Sequence, residues 1–112
     1  MLPSPDALTR SNVVNTDGAS TVALAAPGAG WSLYVTEITI VNTSATPVTV
    51  DIQNGTGGAV RWTLYVPAND QSQQTFVNGL GGFSENTAVA FDPSAAVTSL
   101  TVSMNGFKRQ VV

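Results

Sequence analysis

The sequence predicts an all-β fold: an antiparallel β-sandwich, jelly-roll-like, with about eight strands and an extended N-terminal arm. Three observations predict it. Short runs rich in Val, Ile, Thr and aromatic residues recur along the chain, separated by clusters of Gly, Pro, Asn and Asp. Within the runs apolar and polar residues alternate, which packs one face of a strand and solvates the other. No segment sustains a helical period, and the chain shows no internal repeat.

Residues 1–12, MLPSPDALTRSN, open the chain with two prolines that fix φ and bias Leu2 and Ser4 towards extended backbone. The expected organisation is an arm over 1–12 and a single sandwich domain over 13–112. Leu2 and Leu8 are the bulky apolar residues of the arm, and leucines in polar surroundings suit an arm that docks along a neighbouring subunit; a disordered terminus is the alternative. Strands are expected near Asn12–Asn15, Ser20–Ala25, Trp31–Asn42, Pro47–Asn54, Ala59–Val66, Ser72–Val77, Thr87–Asp92 and Val97–Lys108. In the fourth, Val48, Val50 and Ile52 alternate with Thr49, Asp51 and Gln53; in the fifth, Trp62, Leu64 and Val66 alternate with Arg61 and Thr63. The third changes phase, from Leu33 and Val35 to Ile38 and Ile40, so a β-bulge near Thr36–Glu37 is required to keep all four on one face.

The segments Ala26–Gly30, Thr43–Pro47, Asn54–Gly58, Pro67–Asp70, Asn78–Gly82 and Asp92–Ala95 carry the residues that supply preset or positive φ, and each reads as a connection between antiparallel neighbours. Asn105–Gly106 reads either as a hairpin turn or as a glycine bulge inside a continuing last strand. At most one helical turn is expected, around Ser94–Ala96.

Composition narrows function. The chain has 112 residues and 11.5 kDa, enough for one ordinary domain. Only 10% of residues are charged, against about 25% in a typical soluble domain, and 24 Ser and Thr, 15 Val and a single Lys complete a β-rich composition. With neither His nor Cys, the chain cannot build a Ser-His-Asp or Cys-His nucleophilic site, a Cys/His zinc site or a disulfide. Four basic against seven acidic residues supply no cationic footprint for nucleic acid. No run approaches the ~18 apolar residues of a membrane-spanning helix, and the N-terminus lacks the charged and apolar regions of a signal peptide. The expectation is synthesis in the cytoplasm without a signal peptide, and no membrane partner.

Each candidate site has a plainer reading. Gly55–Gly58 and Gly79–Gly82 match no phosphate-binding motif and read as hairpin loops. Glu37 and Asp51, on strands expected to pair across the 43–47 turn, are a minimal pair of carboxylates for glycoside hydrolysis, but both occupy polar positions of alternating strands. Asp51, Asp70, Glu85 and Asp92 are scattered through different segments without a calcium-loop pattern, so no metal and no cofactor is expected. Asn42 and Asn54 fit the glycosylation pattern by chance. Trp62 is expected in the core and Tyr65 on the surface. Trp31, at a strand start, is either a core lid or an interface anchor. Trp, Tyr and Arg dominate interface anchors, so Trp31, Arg61 and Tyr65, with Leu2, Leu8 and Arg10 of the arm, form the expected subunit or capsid contact set.

The stretches APGAGWSLYVTEITIVNTSATPVTVDIQNG, YVPANDQS and VTSLTVSMNGFKR, in that order behind an N-terminal arm, resemble the small β-sandwich head decoration (cement) and accessory virion proteins of tailed bacteriophages. The resemblance spans about residues 25–110 and rests on Ile38, Val41, Asn42, Thr43, Val48, Val50, Pro67, Ala68 and Gly106, which in such modules build strands and turns. It implies a non-enzymatic protein of the virion surface that forms a homotrimer and binds and stabilises the shell of the major capsid protein. No catalytic residue comes with it. The alternatives are a carbohydrate-binding module with a glycan partner, or a tail-fibre or baseplate accessory protein.

Overall fold

The computed structural model describes residues 8–111; Leu2 and the other residues of 1–7, with Val112, lie outside the described residues. Eight strands follow one another: β1 (Leu8–Asn15), β2 (Thr21–Leu24), β3 (Trp31–Asn42), β4 (Val48–Asn54), β5 (Val60–Val66), β6 (Asp70–Leu80), β7 (Val89–Pro93) and β8 (Leu100–Gln110). They form two antiparallel sheets ordered β1-β8-β3-β6 and β2-β7-β4-β5. Leu33, Ile38, Ile40, Val102 and Met104 of the first sheet meet Val48, Val50, Ile52, Val66 and Phe91 of the second in one buried core, as alternation requires of two facing sheets.

The turns behave differently from their expectation. Of the six turn segments only Asn54–Gly58 joins hydrogen-bonded neighbours, β4 and β5; the other five carry the chain between the sheets. Turn residues specify a local reversal, not which strand then lies alongside, and here the crossing lets both sheets turn an apolar face inward. Strands remote in sequence, such as β1 and β8, therefore pair. Two four-stranded sheets connected in this way make a jelly roll.

Residues 8–12, expected in an arm, are the first five of the eight residues of β1 and pair with β8, with Leu8 opposite Phe107 and Asn12 opposite Ser103. Thr9, Arg10, Ser11 and Asn12 carry no hydrophobic alternation, so the backbone ladder rather than core burial defines this part of the strand. Around Ser94–Ala96 the chain bends without forming a helix.

The phase change in β3 is resolved by a bulge. Against β8 the register shifts between Val35 and Glu37, leaving Thr36 as the extra residue, whose hydroxyl donates to the Asn105 carbonyl at 3.2 Å; against β6 the pairing breaks at the same place, with residues 76–79 of β6 looping out. Leu33, Val35, Ile38 and Ile40 are all buried as a result. β8 runs uninterrupted past Asn105–Gly106, so no hairpin turn forms there and the bulge belongs to β3. At Gly106 a Cβ would overlap the Tyr34 carbonyl, and glycine is what admits the close approach of the two strands.

At one end of the first sheet, Asn15 and Asn42 both pair with Leu100 and are both buried. The Asn42 amide donates to the carbonyls of Thr46 (2.8 Å) and Pro67 (3.3 Å), and its oxygen accepts from the Ser44 amide (3.0 Å) and hydroxyl (2.7 Å). One side chain thereby fastens the β3–β4 and β5–β6 crossings together, and its burial keeps this glycosylation pattern out of solvent. Asn42→Ala strands several of these groups at about 1–3 kcal/mol per buried unpaired group. The expected loss is at least about 2 kcal/mol in urea unfolding, a fall in Tm of roughly 10 °C. A variant as stable as the parent would show the network to be dispensable.

Candidate interaction surface

The end of the sandwich where β3 begins and β8 stops collects aromatic rings and cations. With Leu33 and Val35 turned inward, Tyr34 faces outward, and register places it opposite Phe107 of β8. The two rings stack with centroids 5.2 Å apart and an interplanar angle of 4°. The Arg109 guanidinium lies 5.6 Å from the Tyr34 ring and 5.3 Å from the Phe107 ring. On the other phase of the strand the Lys108 ammonium sits 4.6 Å from the Trp31 ring. Trp31 is half-buried and its backbone is held on both sides, donating to the Gly28 carbonyl (3.2 Å) and accepting from the Asn86 amide (2.8 Å).

Glycines close this corner. Gly79, at φ +82°, and Gly81 pass directly against Tyr34, where a Cβ at Gly81 would come within 2.8 Å of the ring. Gly81 also accepts a hydrogen bond from the Arg61 guanidinium at 3.4 Å. Lys108 and Arg109, two of the four basic residues of the chain, thus lie over Trp31, Tyr34 and Phe107, and Arg61 of β5 reaches the glycine segment beside them. Cation–π contacts at exposed sites contribute about 0.5–1 kcal/mol each, and Trp, Tyr and Arg are the side chains that most often anchor interfaces.

The residues expected from sequence are distributed as follows. Trp31 and Arg61 belong to this end of the sandwich. Leu8 begins β1 opposite Phe107, beside the corner, and Arg10 is exposed opposite Asn105 in the same sheet. Leu2 lies outside the described residues. Tyr65, 60% exposed, is on β5 opposite Thr49 in the second sheet, apart from Trp31. Tyr34, Phe107, Lys108 and Arg109 lie outside the expected contact set. The adjacent Lys-Arg pair is visible in the sequence, but its meeting with Tyr34 depends on the register that the bulge sets.

Other expected neighbours are separated. Glu37 and Asp51 are in different sheets, because the 43–47 segment crosses between sheets instead of joining paired strands. Glu37 accepts from Gln73 (3.2 Å) and Asn105 (3.3 Å), whereas Asp51 accepts from Thr63 (2.7 Å) and has Asp92 as its register partner. Gly79–Gly82 is not a hairpin loop but the end of β6 and the start of the crossing to β7. Trp62, expected in the core, is 40% exposed and meets Phe76 edge-on at 5.0 Å, because β5 is an edge strand and its inward face lies at the rim. Among the described residues no three His, Cys, Asp or Glu side chains gather as a metal site. A shallow depression of about 320 Å³ at the opposite end is lined by Val41, Asn42, Thr43, Asn69, Asp70 and Gln71, with Asp70 its single ionisable group.

No protein-family model matches the sequence, and no curated protein matches it significantly. Several solved structures share the fold, among them the following three. A subunit of the disulfide-linked pili that form Bacillus endospore appendages aligns at 14% identity and TM-score 0.58, over 96% of this chain and 89% of that one. A chain of the capsid of Helicobacter pylori bacteriophage KHP30 aligns at 13% identity and TM-score 0.56, over 98% and 97%. A chain of the cyanophage Pam1 capsid asymmetric unit aligns at 16% identity and TM-score 0.52, over 91% and 84%. At such identities the likeness is one of fold.

The placement of the two tryptophans is open to direct measurement. With Trp31→Phe the remaining Trp62, 40% exposed at the rim, is expected to be quenched by acrylamide more efficiently than Trp31 is in the Trp62→Phe variant. The reverse order would contradict the described packing.

Proposed function

We propose that the chain is a non-enzymatic structural protein of a phage-like virion, a capsid decoration (cement) subunit that binds and stabilises the shell of major capsid protein as a homotrimer. The observation that carries this reading is the length match: the KHP30 and Pam1 capsid structures each contain a chain aligned over 97% and 84% of its length. Both are therefore about as short as this one, a single small sandwich within a phage capsid. The resemblance of the strand and turn sequences to decoration proteins points the same way.

The surface suits such a role. A standard interface buries about 800 Å² on each partner, roughly one seventh of the 5826 Å² accessible surface of this chain. The corner built from Trp31, Tyr34, Phe107, Lys108 and Arg109, with Arg10 in the same sheet, offers the shell a cationic, aromatic contact, to which Leu2 and Leu8 are assigned as further members of the set. Arg61 and Tyr65 complete the contact set towards neighbouring subunits. Threefold valency raises a modest single-site affinity through effective concentration. A disulfide-linked pilus, the other assembly among the structural neighbours, requires cysteine, and this chain has none.

Light scattering after size exclusion is expected to give three times the 11.5 kDa chain mass at the dilute end of a concentration series; a monomer at every concentration would remove the trimer. Deletion of residues 1–7 leaves every residue of β1, Leu8–Asn15, in the chain. That deletion, and separately Arg109→Ala, are expected to weaken pelleting with shells of major capsid protein about tenfold or more. Undiminished pelleting of both would overturn the assigned contact surface.

A further inference from the structure

Among the described residues four strands form the edges of the two sheets: β1 and β6 in one, β2 and β5 in the other. An edge strand offers a row of unpaired backbone donors and acceptors, which folded proteins blunt with charge, proline, shortness or bulges. β2 has only four residues. β6 carries Asp70 and loses its pairing with β3 between Thr75 and Leu80. β1 carries Arg10 among polar residues. β5, Val60–Val66 with sequence VRWTLYV, has no such protection: it lacks Pro, Gly and Lys, is built from branched and aromatic residues, and five of its seven residues are exposed. Its one charge, Arg61, reaches back to the Gly81 carbonyl.

The sequence of β5 is also complementary to itself. In an antiparallel pair, opposite residues face the same side of the sheet, so two copies of β5 must pair odd with odd and even with even. Of those registers, only the one centred on Thr63 pairs all seven residues. It sets Val60 against the second copy's Val66, Arg61 against its Tyr65, Trp62 against its Leu64, and Thr63 against its Thr63. Each is a favourable cross-strand pair: branched with branched, guanidinium with aromatic ring, aromatic with aliphatic, threonine with threonine. A twofold axis makes each of the first three pairs occur twice, with the Thr63 pair on the axis itself, as an isologous interface requires. Moving the centre to Trp62 or Leu64 removes the Arg61–Tyr65 pair and leaves strand ends without partners.

We propose that the free edge of β5 is a self-association site, pairing antiparallel with β5 of a second copy about a twofold axis at Thr63 and joining two four-stranded sheets into one of eight strands. The same rim supplies further apolar surface: Phe76 of β6 touches Trp62, and its neighbour Val77 is 92% exposed. In a decorated shell this contact ties subunits of adjacent trimers, using an edge separate from the corner assigned to the shell. The site itself needs only two copies of the chain.

The chain has no cysteine, so one introduced thiol reports on one position. Thr63→Cys is expected to form a disulfide-linked dimer under mild oxidation at least tenfold faster than Thr16→Cys, which is exposed in the β1–β2 connection. An equal mixture of Arg61→Cys and Tyr65→Cys is expected to cross-link faster than either alone, which fixes the register. Tyr65→Lys sets a lysine against the second copy's Arg61 and is expected to raise the dissociation constant of the pair at least tenfold with Tm unchanged. Cross-linking at position 63 no faster than at 16, or no gain on mixing the other two variants, would overturn the proposal. The cross-link reads a pair of chains directly, so failure to form trimers or to bind shells leaves it standing.

Discussion

Leu100 lies between two buried asparagines, and the architecture depends on what those two side chains make possible. Of the connections between successive strands, only the one between β4 and β5 stays within a sheet. Each of the others must lift the backbone off one ladder and set it down on another, exposing carbonyls and amides that have lost their strand partners. Buried and unpaired, such groups are costly. Asn42 closes the β3–β4 and β5–β6 crossings together, and Asn15 does the same for the β1–β2 connection, donating to the Ala19 carbonyl (3.1 Å) and the Thr21 hydroxyl (2.8 Å) while accepting from the Gly18 amide (2.9 Å). At the other end Asn54, the last residue of β4, exchanges two hydrogen bonds with Ser84, both at 2.9 Å. An amide can donate and accept at once, which a carboxylate or hydroxyl of similar reach does less completely.

A second constraint couples the core to the surface. Without Thr36 as an extra residue, either Leu33 and Val35 or Ile38 and Ile40 would face solvent. With it, both pairs are buried and Tyr34 is held on the outside opposite Phe107. The close approach of β8 to Tyr34 at Gly106 belongs to the same adjustment. The cation and aromatic corner is therefore a by-product of solving a packing problem in β3: its ring stack exists because the register on that side of the bulge is offset by one residue from the register on the other.

These features differ in how visible they are in the sequence. Alternation gives β3 its bounds, Trp31–Asn42, and the phase change within it places the bulge, because both signals come from side chains that the core must bury. Pairing leaves no such trace. The 43–47 turn is as rich in turn residues as a true hairpin, so Glu37 and Asp51 read as neighbours although they sit in separate sheets, while Asp51 and Asp92, distant in sequence, are register partners. Residues 8–12 carry no apolar period, so their place in β1 rests on backbone hydrogen bonds to β8 that composition does not announce. Asn42 and Asn15 read only as the last residues of expected strands, yet their amides are buried because each is surrounded by the groups it satisfies. Of the corner, Trp31 and Arg61 were legible as anchor types; Tyr34, Phe107 and Arg109 meet only through the register.

The distribution of charge decides what the surface can do. A chain with so few charged residues cannot rely on long-range steering, and its polar surface of Ser, Thr, Asn and Gln is satisfied largely by itself, as in the Ser103–Asn12 (3.0 Å) and Gln73–Glu37 (3.2 Å) hydrogen bonds on the outer face of the first sheet. Such a face gains little by exchanging internal hydrogen bonds for intermolecular ones. Two regions differ: the corner, where guanidinium and ammonium groups lie over aromatic rings, and the β5 rim, where apolar side chains and an unpaired backbone edge coincide. The first suits a partner with acidic or aromatic groups and the second suits another β-strand. Because the rings and cations of the corner stand on the first sheet and the β5 edge belongs to the second, a partner at one does not cover the backbone ladder offered by the other.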